Sequence, residues 1–129
     1  MLKKYILAAT ILLGGCSTIS DIVNHPTFDN NEYAAVVNLR QLASHSEKCA
    51  DATRAGYTFS VLEQADWLMY YTQYLPNNTD SYKMATIIQG EANTLVSHAA
   101  TSSENYCVSK MKNMEQQIIL IQQSLATKG

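Results

Sequence analysis

The chain has 129 residues, with nine Lys and Arg against eleven Asp and Glu, and it is 47% apolar and 16% charged. This composition excludes a disordered polar tail, and the negative balance argues against nucleic acid as a partner. Five glycines and two prolines are too few for a fold with many β-turns. The composition therefore predicts one small helical domain.

The N-terminus has the features of an export signal. Lys3 and Lys4 form a short positive start, residues 5–13 are apolar, and the motif Leu13-Gly14-Gly15-Cys16 follows at once. The apolar stretch is shorter than the roughly 20 residues that a membrane-spanning helix needs. This arrangement resembles the signal and lipobox of bacterial lipoproteins. The alternative is an ordinary buried N-terminal helix with a chance cysteine.

The lipoprotein resemblance implies where the protein resides. Residues 1–15 would be removed as a signal peptide, and Cys16 would carry a diacylglyceryl group and an acylated amino terminus. In enteric-type bacteria, Ser17 in place of an Asp at this position points to the outer membrane. We therefore expect residues 16–28 to tether a domain of residues 29–129 to the periplasmic face of the outer membrane. Loss of two lysines leaves seven basic and eleven acidic residues, a net charge of −4, so the lipid alone would provide the attachment.

The two other cysteines, Cys49 and Cys107, fit the same compartment. The periplasm is oxidising, and a lone pair of thiols there normally forms a disulfide. Two separate buried thiols are the alternative. A metal site is disfavoured because the chain has no CxxC motif.

The clearest local signal marks the start of the first helix. Asp29 is placed as an N-cap, with Glu32 three residues later to complete a capping box. Phe28 and Tyr33 have the spacing of a hydrophobic staple. The core-facing stripe of this helix, meaning the residues on the side predicted to be buried, runs to Cys49 through Ala35, Leu39, Leu42 and Ser46.

Three further helices follow, which makes an all-α, up-down-up-down four-helix bundle the predicted fold. Ser60 and Glu63 have the spacing of a capping box for the second helix, which is predicted to end near Tyr74. Gly56 either ends the first helix or lies in a bend. The third spans about 80–100. The fourth helix has the most regular spacing of apolar residues, which alternates between four and three positions. In this topology Cys49 and Cys107 fall at the same end. The residues predicted to face the core in the second helix are Val61, Leu62, Ala65, Leu68, Met69 and Thr72. Those in the third helix are Ala85, Ile88, Ala92, Leu95 and Ala99. Those in the fourth helix are Cys107, Met111, Met114, Ile118, Ile121 and Leu125.

Signatures of catalysis are missing from the sequence. There is no HExxH, G-x-S-x-G, phosphate-binding glycine loop or CxxCH motif, and no Glu has a His three residues later, as a di-iron bundle requires. Glu63 and Asp66 form an acidic i, i+3 pair that fits a solvated face better than acid/base work. His25, His45 and His98 are expected to be surface residues. We therefore expect a protein that is not an enzyme and has no metal, cofactor or small-molecule substrate.

One face of the second helix is unusually aromatic. At 100° per residue, Phe59, Trp67, Tyr70 and Tyr74 lie opposite the core stripe, and Tyr71 lies at their flank. Trp and Tyr are enriched at binding hot spots, so this face is the candidate docking site for a protein partner. Two alternatives are that this face is packed inside the protein or that its rings rest at the lipid interface.

These features together favour a non-enzymatic adaptor that binds another envelope protein. The lipobox, a mature length of about 110 residues, the helical pattern and the positions of the cysteines are similar in layout to those of the secretin pilotins. This resemblance implies that the partner is the C-terminal segment of a secretin subunit, bound as an amphipathic helix. A phage- or plasmid-encoded envelope lipoprotein, such as an outer-membrane spanin subunit or an exclusion factor, is the alternative. The oligomeric state is left open, because the seam of the fourth helix would also suit a dimer.

Overall fold

The structure is a computed structural model that describes residues 28–76 and 78–127. Within these ranges it is all-helical, with α1 (Asn30–Ala43), α2 (Arg54–Gln73), α3 (Thr79–His98) and α4 (Glu104–Ala126). A short 3₁₀ helix, Ser46–Cys49, lies between α1 and α2. The predicted all-α class is confirmed for this part of the chain. The predicted signal peptide, Cys16 and the tether before Phe28 lie outside the described residues.

The four helices form a bundle around one core. α2 packs against α1 and α3, and α4 packs against the same two helices. The predicted stripes of α3 and α4 are buried throughout, and Cys107, Met111, Met114 and Ile118 are fully inaccessible to solvent. The helical period of apolar residues therefore identifies the core side of these two helices correctly. Leu62 and Met69 of α2 are partly buried and pack against the core.

The start of α1 has the predicted N-cap and the predicted contact between two aromatic rings. The Asp29 Oδ1 atom accepts a hydrogen bond of 2.8 Å from the backbone N–H of Glu32. The rings of Phe28 and Tyr33 pack with their centroids 5.4 Å apart. Asp29 satisfies one of the free N–H groups at the helix start, and the ring contact holds Phe28 against the first turn of α1.

The end of α1 differs from the prediction, because the helix stops at Ala43 and does not continue to Cys49. The Ser44 N–H donates to the carbonyls of Arg40 and Gln41, and its hydroxyl donates to Gln41 O at 2.7 Å. Serine competes for backbone hydrogen bonds in this way and so favours helix ends over helix interiors. Cys49 is nevertheless buried, as predicted, but it lies on the 3₁₀ helix.

The start of α2 also differs from the prediction. The helix begins at Arg54, so the capping box proposed at Ser60 and Glu63 is wrong and Ser60 lies inside the helix. Gly56 lies in the first turn of α2, with open space where a Cβ would be. It therefore neither ends the first helix nor marks a bend.

Arg54 explains why α2 starts where it does. This side chain is 7% exposed, and its Nε donates to the carbonyl of Cys49 at 2.9 Å. Its Nη1 donates to the carbonyls of Ser102 at 2.9 Å and Ala99 at 3.4 Å, and Nη2 pairs with Asp51. Burial of a guanidinium is costly unless its donors are satisfied, as they are here. Arg54 thus joins the α1–α2 connection to the α3–α4 connection.

The disulfide between Cys49 and Cys107 is present, as predicted. The two Cα atoms are 5.7 Å apart, and both residues are completely buried. The bond links the 3₁₀ helix to the first turn of α4. Together with Arg54, it closes the end of the bundle that we call the disulfide end.

Tyr57 secures the same end from inside α2. Its hydroxyl donates to the carbonyl of Leu42 at 2.6 Å, and the side chain is 5% exposed. Desolvation raises the pKa of Tyr57 above its usual value of 10.0, and the negative charge of Glu47 adds to the effect. The hydroxyl therefore keeps its proton, and with it the hydrogen bond to Leu42, to a higher pH than an exposed tyrosine would.

Candidate functional site: the aromatic surface of α2

Four large aromatic side chains of α2 and its C-cap lie on the outside of the bundle. We call Phe59, Trp67, Tyr70 and Tyr74 the aromatic surface; they are 51%, 48%, 62% and 82% exposed, respectively. On the opposite side of the helix, Val61, Ala65 and other core residues are buried. The described part of the chain therefore leaves this face open. Packing on both sides of α2, the first alternative raised by the sequence, is not seen among the described residues.

Tyr71, predicted at the flank of this face, has a different role from its neighbours. It is half-buried, and its hydroxyl donates to the Asp29 carboxylate at 3.0 and 3.2 Å. Its ring stacks on Trp67, with centroids 4.8 Å apart and planes 10° apart. A hydrogen bond with Asn31 lowers the pKa of Tyr71, but desolvation and the bond to Asp29 outweigh it and raise the pKa overall. Tyr71 therefore joins α2 to the start of α1 and supports the Trp67 ring.

The charged residues that α2 places among the aromatic side chains are acidic. Glu63 is exposed, whereas Asp66 is half-buried and accepts a 2.9 Å hydrogen bond from the side-chain amide of Gln89 on α3. Arg54 is the only basic residue of α2, and it is buried at the other end of that helix. Asp66 therefore helps to attach α2 to α3, and no cation of α2 lies among the exposed rings.

Two exposed aliphatic side chains lie on the other helices of the bundle. Ile87 on α3 is 56% exposed and Leu120 on α4 is 63% exposed. They lie about one helical turn from Glu91 and Gln117, which are joined by a 3.2 Å hydrogen bond between α3 and α4. Two aliphatic side chains cover far less area than four aromatic rings. The aromatic surface is therefore the stronger candidate for a docking site.

A recess of about 460 Å³ lies at the disulfide end. Lys48 is the only charged residue in its lining, which also includes Leu42, Thr53 and Tyr57. A hydrolytic site needs at least a paired acid and base, and this lining does not provide them. The recess is thus a weaker candidate than the aromatic surface.

Residues 28–76 and 78–127 contain neither a candidate metal site nor a candidate membrane span. No group of three or more His, Cys, Asp or Glu side chains in these ranges is arranged to hold a metal ion. None of the helices in the same ranges combines the length and the hydropathy needed to cross a bilayer. His45 and His98 are exposed; His45 lies 3.1 Å from Glu47, and His98 lies near Tyr106.

Comparison of this chain with protein-family models, with curated proteins and with solved structures finds no match. No relative therefore supplies a function or a set of site residues. The function is inferred from the residues of this chain and their geometry.

The sequence does not reveal that Tyr71 joins the start of the domain to the aromatic surface. Asp29 is recognisable as an N-cap from its neighbours, but its bond to Tyr71 connects positions 42 residues apart. No local pattern predicts such a contact, which depends on how α1 docks on α2. Arg54 was missed for the same reason, since its partners Ala99 and Ser102 come from the distant α3–α4 connection.

Proposed function

We propose that this protein is a non-enzymatic lipoprotein of the outer membrane that acts as an adaptor. In this proposal Cys16 carries the lipid anchor, the bundle projects into the periplasm, and the aromatic surface binds another envelope protein. The lipobox-like N-terminus and the buried Cys49–Cys107 disulfide support a periplasmic address. The proposal includes no metal, cofactor or small-molecule substrate.

The observation that carries the proposal is the exposure of Trp67, Tyr70 and Tyr74 on one helical face. Exposed groups of this kind are uncommon on monomers and mark interaction sites, because each ring buries a large apolar area on binding. Trp and Tyr also dominate the hot spots of protein interfaces. A helix lying along α2 would cover the whole surface, since residues 59–74 extend over about 22 Å at 1.5 Å per residue. The layout similarity to pilotins supports an amphipathic helix as the partner segment.

The proposed fold is an up-down-up-down bundle. Residues 74–78 connect α2 to α3, and residues 99–103 connect α3 to α4. Connections this short favour antiparallel neighbours. In this topology α2 ends where α1 begins, consistent with the bond between Tyr71 and Asp29. The aromatic surface then extends from Phe59 towards the end of the bundle at which the tether joins.

The adaptor proposal predicts that a membrane protein partner depends on these rings. We expect the lipidated wild-type protein, used as bait, to capture a partner protein from detergent-solubilised membranes of the native host. The triple variant Trp67→Ala/Tyr70→Ala/Tyr74→Ala should retain less than about a tenth of it, because truncating a single hot-spot residue costs about 2 kcal/mol or more. Bound proteins are identified and quantified by mass spectrometry, and circular dichroism verifies the fold of the variant.

The matched control is Ile87→Ala/Leu120→Ala, which removes two exposed aliphatic side chains from α3 and α4. It should bind as much partner as wild type. Equal capture by wild type and the triple variant would show that the docking site lies elsewhere. Failure of wild type to capture any protein above the level of a bead control would contradict the adaptor function.

A further inference from the structure

The described chain begins beside the aromatic surface. Asp29, the N-cap of α1, accepts the hydrogen bond from the hydroxyl of Tyr71, and the Tyr71 ring stacks on Trp67. Phe28, the residue before Asp29, is 39% exposed and packs on Tyr33 of α1. Two contacts therefore link the point where the tether joins the domain to the only tryptophan of the chain.

The aromatic residues are unevenly distributed along α2. Trp67 and Tyr70 lie in its last two turns, and Tyr74 is its C-cap. Phe59 lies eight residues before Trp67, about 12 Å away along the helix axis. We call Phe28, Trp67, Tyr70 and Tyr74 the tether-end aromatics. These exposed rings gather at the end of the bundle that is nearest to the proposed anchor.

A lipid anchor would keep the bilayer close to these rings. This step rests on the proposed function, in which Cys16 is lipidated. Residues 17–27 extend over at most about 36 Å at 3.3 Å per residue. A surface held by so short a link is present at a high effective concentration, and this concentration falls steeply as the link lengthens.

The chemistry of these side chains suits the headgroup region of a bilayer. Trp and Tyr concentrate at membrane interfaces, where the ring is in apolar surroundings and the N–H or O–H group remains hydrated. Glu63, one turn before Trp67, is exposed and acidic, and α2 offers no basic residue beside it. The mature chain of the proposed lipoprotein carries a net charge of −4, which disfavours contact with anionic lipid, so the matching surface is zwitterionic.

We propose that the leaflet holding the Cys16 acyl chains is the resting occupant of the tether-end aromatics. In this arrangement α2 lies with its C-terminal end at the headgroups, and the disulfide end points into the periplasm. A protein partner of the aromatic surface then has to displace lipid from Trp67, Tyr70 and Tyr74. The membrane thereby shields the docking surface until that partner is present.

Tryptophan fluorescence tests this proposal at one position, because Trp67 is the only tryptophan. The lipidated full mature chain is reconstituted in phosphatidylcholine vesicles, with and without bromine on the upper part of the acyl chains. We expect a blue-shifted emission and a clear loss of intensity with brominated lipid. Both effects should be absent in the Cys16→Ser protein, which is mixed with the same vesicles at the same concentration.

Matched variants separate lipid contact at the tether end from other causes. Tyr70→Ala/Tyr74→Ala should weaken the bromine quenching, whereas Phe59→Ala, which removes an exposed ring further along α2, should leave it unchanged. A 30-residue Gly/Ser insertion between Thr27 and Phe28 should reduce the quenching, because the effective concentration falls roughly as the −3/2 power of linker length.

Two results would overturn the proposal. Emission of Trp67 that is identical in the lipidated and Cys16→Ser proteins would show that the ring does not reach the lipid. A blue shift without bromine quenching would show that another part of the protein covers the ring. Neither result touches the adaptor proposal, because lipidation is verified first by mass spectrometry and partner capture is measured in detergent.

Discussion

Replacing both bridge cysteines, Cys49→Ser/Cys107→Ser, is expected to lower the free energy of unfolding by about 4 kcal/mol. The disulfide joins positions 58 residues apart, and such a link removes much of the conformational entropy of the unfolded chain. Both side chains are completely buried, so the two new hydroxyls add a desolvation cost. Small domains have only about 5–15 kcal/mol of stability in total. Urea unfolding followed by circular dichroism measures the loss.

Reduction of the wild-type protein with a thiol reagent is the matched control, because it breaks the bond without introducing hydroxyl groups. The reduced protein should lose somewhat less stability than the double variant. A loss below about 1 kcal/mol in both experiments would mean that the chain-entropy estimate does not apply and that the core and Arg54 alone hold this end together.

The substitution Ile118→Asp is expected to unfold the domain at room temperature. Ile118 is fully buried in the seam of α4, which packs against α1 and α3 of the same chain. The change removes a large apolar side chain and places a carboxylate without a partner in the core. These effects together cost several kcal/mol, a large share of the stability of a small domain. Loss of the helical circular dichroism signal reports the result.

Leu120→Asp is the control on the same helix. Leu120 is 63% exposed, so an aspartate there stays in water and should leave the helical signal and its unfolding midpoint close to those of wild type. Sedimentation of the wild type and both variants adds the oligomeric state. If Ile118→Asp kept its helices and only converted a dimer to a monomer, the seam would serve an interface between two chains rather than the core of one.

The parts of the fold that follow from local chemistry could be predicted from the sequence. The stripes of α3 and α4 repeat at alternating spacings of three and four residues, and each predicted member is buried. The N-cap at Asp29 depends only on residues within one helical turn. The pairing of Cys49 with Cys107 was predictable on the expectation that Cys16 is lipidated and the compartment oxidising, which would leave these two thiols one partner each.

Features that depend on distant contacts could not be predicted. Gly56 and the Ser60–Glu63 pattern both suggested a break that does not exist, because the start of α2 is determined by Arg54 and its bonds to Ser102 and Cys49. The outward position of Trp67, Tyr70 and Tyr74 followed from the helical period. The hydrogen bond from the Tyr71 hydroxyl to Asp29 could not be predicted from the helical period, because it forms only when α1 and α2 are packed together.

Anchoring through Cys16 is the central claim, because both the membrane contact and the adaptor role depend on it. The most direct measurement is the intact mass of the protein purified from bacterial membranes, beside the Cys16→Ser variant. We expect the wild-type polypeptide to begin at Cys16, to lack residues 1–15 and to carry the added mass of a diacylglyceryl group and an N-linked acyl chain. A membrane-free protein that retains Met1, or a mature chain with an unmodified Cys16, would contradict this claim.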